Sequence, residues 1–134
     1  MHVDADRIHR INRLTHSTLH WDSLYDLATR HALRPLLYWN LSRCESKEFL
    51  TLHLPQLEID FFNNASRNLC MTNRLLDILK LFEKSHVLAV PYKGPVLASG
   101  LYQNLSLREF ADLDIVVQEK DVVPAADLLE SSGF

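Results

Sequence analysis

Apolar residues recur at every third position near the start of the chain, at Ile8, Ile11 and Leu14, which predicts a short amphipathic helix over residues 4–14. Arg7, Arg10 and Arg13 share that spacing and form a solvated row on its other side. A second helix is expected from Trp21 to about His31, with Leu24, Leu27 and Ala28 facing inward. Asp22 and Ser23 suit its first turn. Leu33 to Leu41 reads as a third helix, with Pro35 tolerated near its start. Pro55 then marks the first turn of the longest helix, about 56–84. Its stripe is Leu57, Phe61, Ala65, Leu69, Thr72, Leu76 and Leu79, widened by Leu75, Ile78, Leu81 and Phe82. Asn63, Asn64, Arg67, Asn68 and Arg74 fall on the polar face.

The period changes near residue 86. Val87-Leu88-Ala89-Val90 is a continuous apolar run, suited to a buried strand within 87–92. Pro91 fits an edge strand or strand end better than a central strand. Val96 to Tyr102 fits two helical turns, and residues 112–117 read as a second strand. A last helix runs from Val122 to Ser132, with Gly133 suited to its C-terminal cap. The pattern is that of one α+β domain over 1–134. Residues 1–85 form a helical subdomain, and 86–134 form an α/β part with a small sheet.

Composition narrows this only a little. A chain of 134 residues can bury roughly two-thirds of its unfolded surface. The net charge of −3 argues against bulk nucleic-acid binding through an all-over positive coat. Cys44 and Cys70 are far apart and not in CxxC spacing, which suits reduced thiols in the cytoplasm. The polar start has no signal-peptide core, and no apolar run is long enough to cross a membrane. His16 and His20 have a metal-compatible spacing but lack the glutamate of HExxH and a third ligand.

The chemistry concentrates around Asp112-Leu113-Asp114. On a strand, Asp112, Asp114 and Val116 share one face, and Leu113, Ile115 and Val117 share an apolar face that should pack on helices. Two carboxylates about 7 Å apart repel, and a divalent cation relieves that cost. A lone DxD is a weak signal, common at turns and strand starts. It stands here with Lys93-Gly94, and with Arg108 four residues before Asp112.

Three segments carry a resemblance: Tyr92-Lys93-Gly94, Leu97 to Tyr102, and Leu107-Arg108-Glu109-Phe110-Ala111-Asp112-Leu113-Asp114-Ile115-Val116-Val117. From Val87 to Phe134 the chain resembles an uncharacterised family of bacterial nucleotidyltransferase-like proteins, within the DNA polymerase β-type superfamily. That resemblance implies metal-dependent transfer of a nucleoside monophosphate from an NTP to an acceptor, which the sequence does not identify. It implies that Asp112 and Asp114 hold Mg²⁺ or Mn²⁺ and are the catalytic pair. It also implies that Lys93, Gly94 and Arg108 meet the phosphates. Two departures stand out. Pro95 follows Gly94 where a small residue, commonly serine, is usual, and the strand carrying the superfamily's third carboxylate would begin where the sequence stops. The expectation is therefore an incomplete core with an incomplete active site, truncated at its C-terminus. An open sheet edge should then invite self-association or a partner chain. The alternative is a non-catalytic nucleotide-binding or protein-interaction module derived from the same fold.

Overall fold

The computed structural model describes residues 5–15, 19–43 and 47–134. Residues 1–4, His16 and Cys44 lie outside the described residues, as does the side chain of Arg7. The helices are α1 (Ala5–Thr15), α2 (Trp21–Arg30), α3 (Arg34–Leu41), α4 (Lys47–Lys84), α5 (Gly94–Tyr102) and α6 (Val122–Ser131). The strands are β1 (Ala89–Tyr92) and β2 (Asp114–Val117), with short 3-10 turns at Leu105–Leu107 and Glu119–Asp121. The architecture is mostly helical with one two-stranded antiparallel sheet, an α+β arrangement as the change of period implied.

Helix α4 is the spine, and it begins earlier than its proline suggests. Pro55 sits inside it, although a proline there forfeits one backbone hydrogen bond. Packing carries the helix through. Leu54 and Leu57 flank the proline and join a core with Leu41, Ile11, Leu19, Trp21, Tyr25 and Leu37. A second core forms at the other end of α4. There Ile78 and Phe82 meet Val87, Ala125, the β2 residues Ile115 and Val117, and Leu113 just before that strand.

The buried face of α4 departs from the apolar stripe in one important respect. Leu69 is 57% exposed and Leu76 is exposed as well, whereas Asn68 is fully buried and Asn64 nearly so. The two asparagines turn inward because the 105–108 turn presses its carbonyl groups against that face, and buried carbonyls need donors. Leu27, expected inside, is also exposed.

The sheet pairs Ala89 with Val117, Val90 with Val116, Pro91 with Ile115 and Tyr92 with Asp114. Pro91 is tolerated because each strand of a two-stranded sheet is an edge. The strand is not buried on both sides as its apolar run suggested. Leu88, Val90 and Tyr92 are exposed, and Val116 opposite Val90 is 56% exposed. One face is thus covered by α4 and α6, and the other is open. At the end of α6, Gly133 adopts φ +80°, and Phe134 returns its N–H to the carbonyl of Leu129, as the C-terminal glycine foretold.

Candidate functional site

The turn from β1 into α5 builds one wall. Lys93 holds φ 58° and ψ −141°, a backbone region rarely adopted by a residue with a Cβ. Its carbonyl accepts the N–H groups of Val96 (3.0 Å) and Leu97 (3.2 Å), which starts α5. Gly94 follows with φ +39°. A Cβ there would stand 3.5 Å from the carbonyl oxygen of Asp112 and 3.8 Å from the Phe110 ring, so the glycine brings the helix start directly onto the 110–112 segment. Pro95 is buried at the next position and offers no N–H.

The 105–114 segment builds the facing wall. Asp114 opens β2 and is half-buried, and its Oδ2 lies 3.8 Å from Lys93 Nζ. Lys93 Nζ also stands 5.2 Å from the centre of the Tyr92 ring. Asp112 is exposed in the coil before the strand, so strand alternation, which was expected to begin at 112, starts only at Asp114. Backbone pairing ends at the Tyr92–Asp114 pair because β1 gives way to the Lys93 turn. Arg108 is half-buried and extended, with its guanidinium 5.9 Å from the centre of the Phe110 ring. Its Nη1 is buried and has no hydrogen-bond partner among the described residues.

The geometry therefore joins Lys93 to Asp114 and Gly94 to Asp112, and sets both Gly94 and Arg108 on Phe110. No cluster of three or more His, Cys, Asp or Glu side chains of metal-binding arrangement occurs among the described residues. The His16–His20 pairing lies outside them, and Cys70 is an exposed free thiol. A hollow of about 520 Å³ between α4 and α5 is lined mostly by apolar residues, among them Leu75, Leu79, Pro91 and Pro95, with Thr72 and Ser99 as its polar members. It opens on the Pro91 side of β1, away from Tyr92 and Asp114.

Four supporting residues did not stand out in the sequence. Asn68 Nδ2 donates to the carbonyls of Leu105 (2.6 Å) and Arg108 (2.7 Å). Asn64 Nδ2 donates to those of Ser106 (2.9 Å) and Arg108 (3.4 Å). Arg34 of α3 grips Glu109 through Nε (3.1 Å) and Nη2 (2.9 Å). The Glu109 carboxylate holds the Arg34 guanidinium even more firmly protonated than usual. Arg34 also lies 3.8 Å from Asp60, which accepts the Tyr25 hydroxyl at 2.6 Å. That bond to Asp60, with burial, raises the Tyr25 pKa above its ordinary 10.0. The asparagines were expected on the polar face of α4, and Arg34 and Glu109, 75 positions apart, left no local signal.

No helix of the described residues is long and apolar enough to cross a membrane. No curated protein and no solved structure matches the chain significantly. A family model described as an uncharacterised nucleotidyltransferase matches residues 17–134.

Proposed function

The chain belongs to that family of uncharacterised nucleotidyltransferases, and from this membership we propose that it binds an NTP through a divalent cation. In this reading Asp112 and Asp114 hold the cation, and Lys93, Gly94 and Arg108 receive the phosphates. The observation that carries it is the junction of Lys93 with Asp114 at 3.8 Å, at the point where Gly94 seats the start of α5 against Asp112. Chain positions 21 apart thus place a cation, one carboxylate and a helix N-terminus together, with the Asp112 backbone beside them.

The donor set suits Mg²⁺ or Mn²⁺. Two hard carboxylates on an accessible edge leave room for water and phosphate oxygens, which Mg²⁺ prefers to a full protein cage. When bound, the cation would neutralise phosphate charge and activate the acceptor oxygen for transfer of the nucleoside monophosphate. The protein's own groups do the positioning. Lys93 screens Asp114 when the site is empty, and its flexible ammonium can turn to the triphosphate when a stronger charge takes its place. Arg108 offers a planar fork with one buried, unpartnered nitrogen, which a phosphate oxygen would satisfy. Gly94 keeps side-chain bulk away from the phosphate approach.

A second reading has its own support. Asp112 and Asp114 are not joined by a third acidic group among the described residues. That favours a nucleotide-binding or protein-interaction module with little turnover, completed in function by a second copy or another chain at the open sheet edge. An exposed free thiol at Cys70 accords with a reducing, cytoplasmic setting.

Calorimetry with Mg²⁺ and each NTP tests the proposal. Heat is expected only when metal and nucleotide are present together, and Asp112→Asn with Asp114→Asn should remove it while leaving the circular dichroism unchanged. No heat in any combination would leave the interaction-module reading.

A further inference from the structure

The segment that carries Arg108 is held from two directions. Asn68 and Asn64 fix its backbone, bonding the carbonyls of Leu105, Ser106 and Arg108. Arg34 fixes the next side chain, closing a two-bond fork on Glu109. Arg34 is itself steadied by Asp60, which also holds Tyr25. Helices α2, α3 and α4 thereby all bear on residues 105–109.

Arg108 has an extended backbone, with φ −122° and ψ 132°. Neighbouring side chains on an extended backbone point to opposite sides. Pulling Glu109 toward α3 therefore turns Arg108 the other way, over Phe110. The same contact settles the charge. Glu109 is the acid adjacent to Arg108 in the chain, and its carboxylate is taken by Arg34 through both oxygens. Arg108 makes no ion pair among the described residues, and its Nη1 is buried without an acceptor.

We infer that Arg34 is a positioning residue for the phosphate site: by holding Glu109 it keeps the Arg108 guanidinium turned toward, and free for, an anion. This rests on the phosphate-binding reading of Arg108. With Arg34 removed, the Glu109 carboxylate is left unpaired beside Arg108. It can then draw the guanidinium to itself or repel the incoming anion. Neutralising Glu109 in that background removes both effects. This predicts a rescue that a purely structural role for Arg34 would not give.

The test titrates the full chain with Mg²⁺–ATP and with inorganic tripolyphosphate, and records the melting temperature of every variant. Arg34→Ala should weaken both probes about ten-fold, the scale of one charge-assisted contact. Adding Glu109→Gln should recover the part of that loss owed to the unpaired carboxylate, and Glu109→Gln alone, which keeps one acceptor oxygen for Arg34, should bind close to wild type. Arg34→Lys, which keeps the charge but not the planar fork, should fall between wild type and Arg34→Ala. Should Arg34→Ala fail to fold, Arg34→Lys with and without Glu109→Gln carries the same comparison. Binding losses that track the melting temperature, with no rescue by Glu109→Gln, overturn the inference and leave Arg34 a structural tie. Wild-type affinity in the Arg34 variants overturns the role of Arg34 alone. No binding of either probe by wild type overturns the phosphate reading and the inference with it.

Discussion

Lys93 combines a strained backbone with the ion pair to Asp114. A non-glycine residue in such a region costs about 1–3 kcal/mol, and glycine there costs far less. The side chain's contacts are partly exposed and contribute little to stability. Lys93→Gly is therefore expected to raise stability, by about 1 kcal/mol in urea unfolding. In the proposed function it should also weaken Mg²⁺–ATP binding in calorimetry. Gain of stability with loss of binding is the signature of strain kept for a site; unchanged binding would make Lys93 a bystander. Asn68 behaves in the opposite way. Truncating it strands the Leu105 carbonyl and leaves the Arg108 carbonyl only the longer bond from Asn64, so Asn68→Ala should cost about 1–3 kcal/mol in the same measurement.

At the scale of elements, α4 shows how tertiary contacts redraw an amphipathic pattern. Leu69 belongs to the sequence stripe yet is exposed, so Leu69→Ala should change stability by less than about 0.5 kcal/mol. Phe82 is 2% exposed at the second core, and Phe82→Ala should cost about 3–5 kcal/mol. Urea unfolding of the pair checks both; a large loss at Leu69 would mean that the face is covered in solution. The tie between α2 and α4 is tested by pH. The Tyr25 hydroxyl donates to Asp60, and its pKa is raised above 10.0 in the folded protein. Between the unfolded and folded values the native state binds the extra proton. The contribution of this bond is therefore fully present below pH 10 and is lost as pH rises through the raised value. Tyr25→Phe should remove that alkaline decline from a plot of stability against pH, while leaving the neutral region offset by a constant amount.

For the molecule as a whole, the uncovered apolar surface is the feature with consequences. Val90, Tyr92 and Val116 lie exposed on one face of the sheet beside Leu88, and Ile59, Phe62, Leu69 and Leu76 lie exposed along α4. Two strands form a small sheet with unpaired edges, and contiguous exposed apolar surface marks an interaction site or an aggregation hazard. Association that grows with concentration is expected in light scattering, and Val90→Lys with Val116→Glu should reduce it if the sheet face is the contact. A stable monomer at high concentration would set the partner-chain part of the proposal aside.

Much of this protein was determined by local patterning. The 3.6-residue period placed the helices, the short apolar runs placed both strands, and alternation identified Ile115 and Val117 as the covered face of β2, with Leu113 just before it. Lys93-Gly94 and Asp112-x-Asp114 were legible because a motif is a local string. Tertiary structure alone decided the rest. Pro55 was absorbed into α4 because packing on the Leu41–Leu57 core outweighed one lost hydrogen bond. Asn64 and Asn68 were buried because distant carbonyls needed donors. Arg34 met Glu109 because the chain folded them together across 75 positions. Periodicity reports which face of an element is apolar. What that face meets depends on hydrogen-bond demands and charges brought from elsewhere in the chain, and no local window contains them.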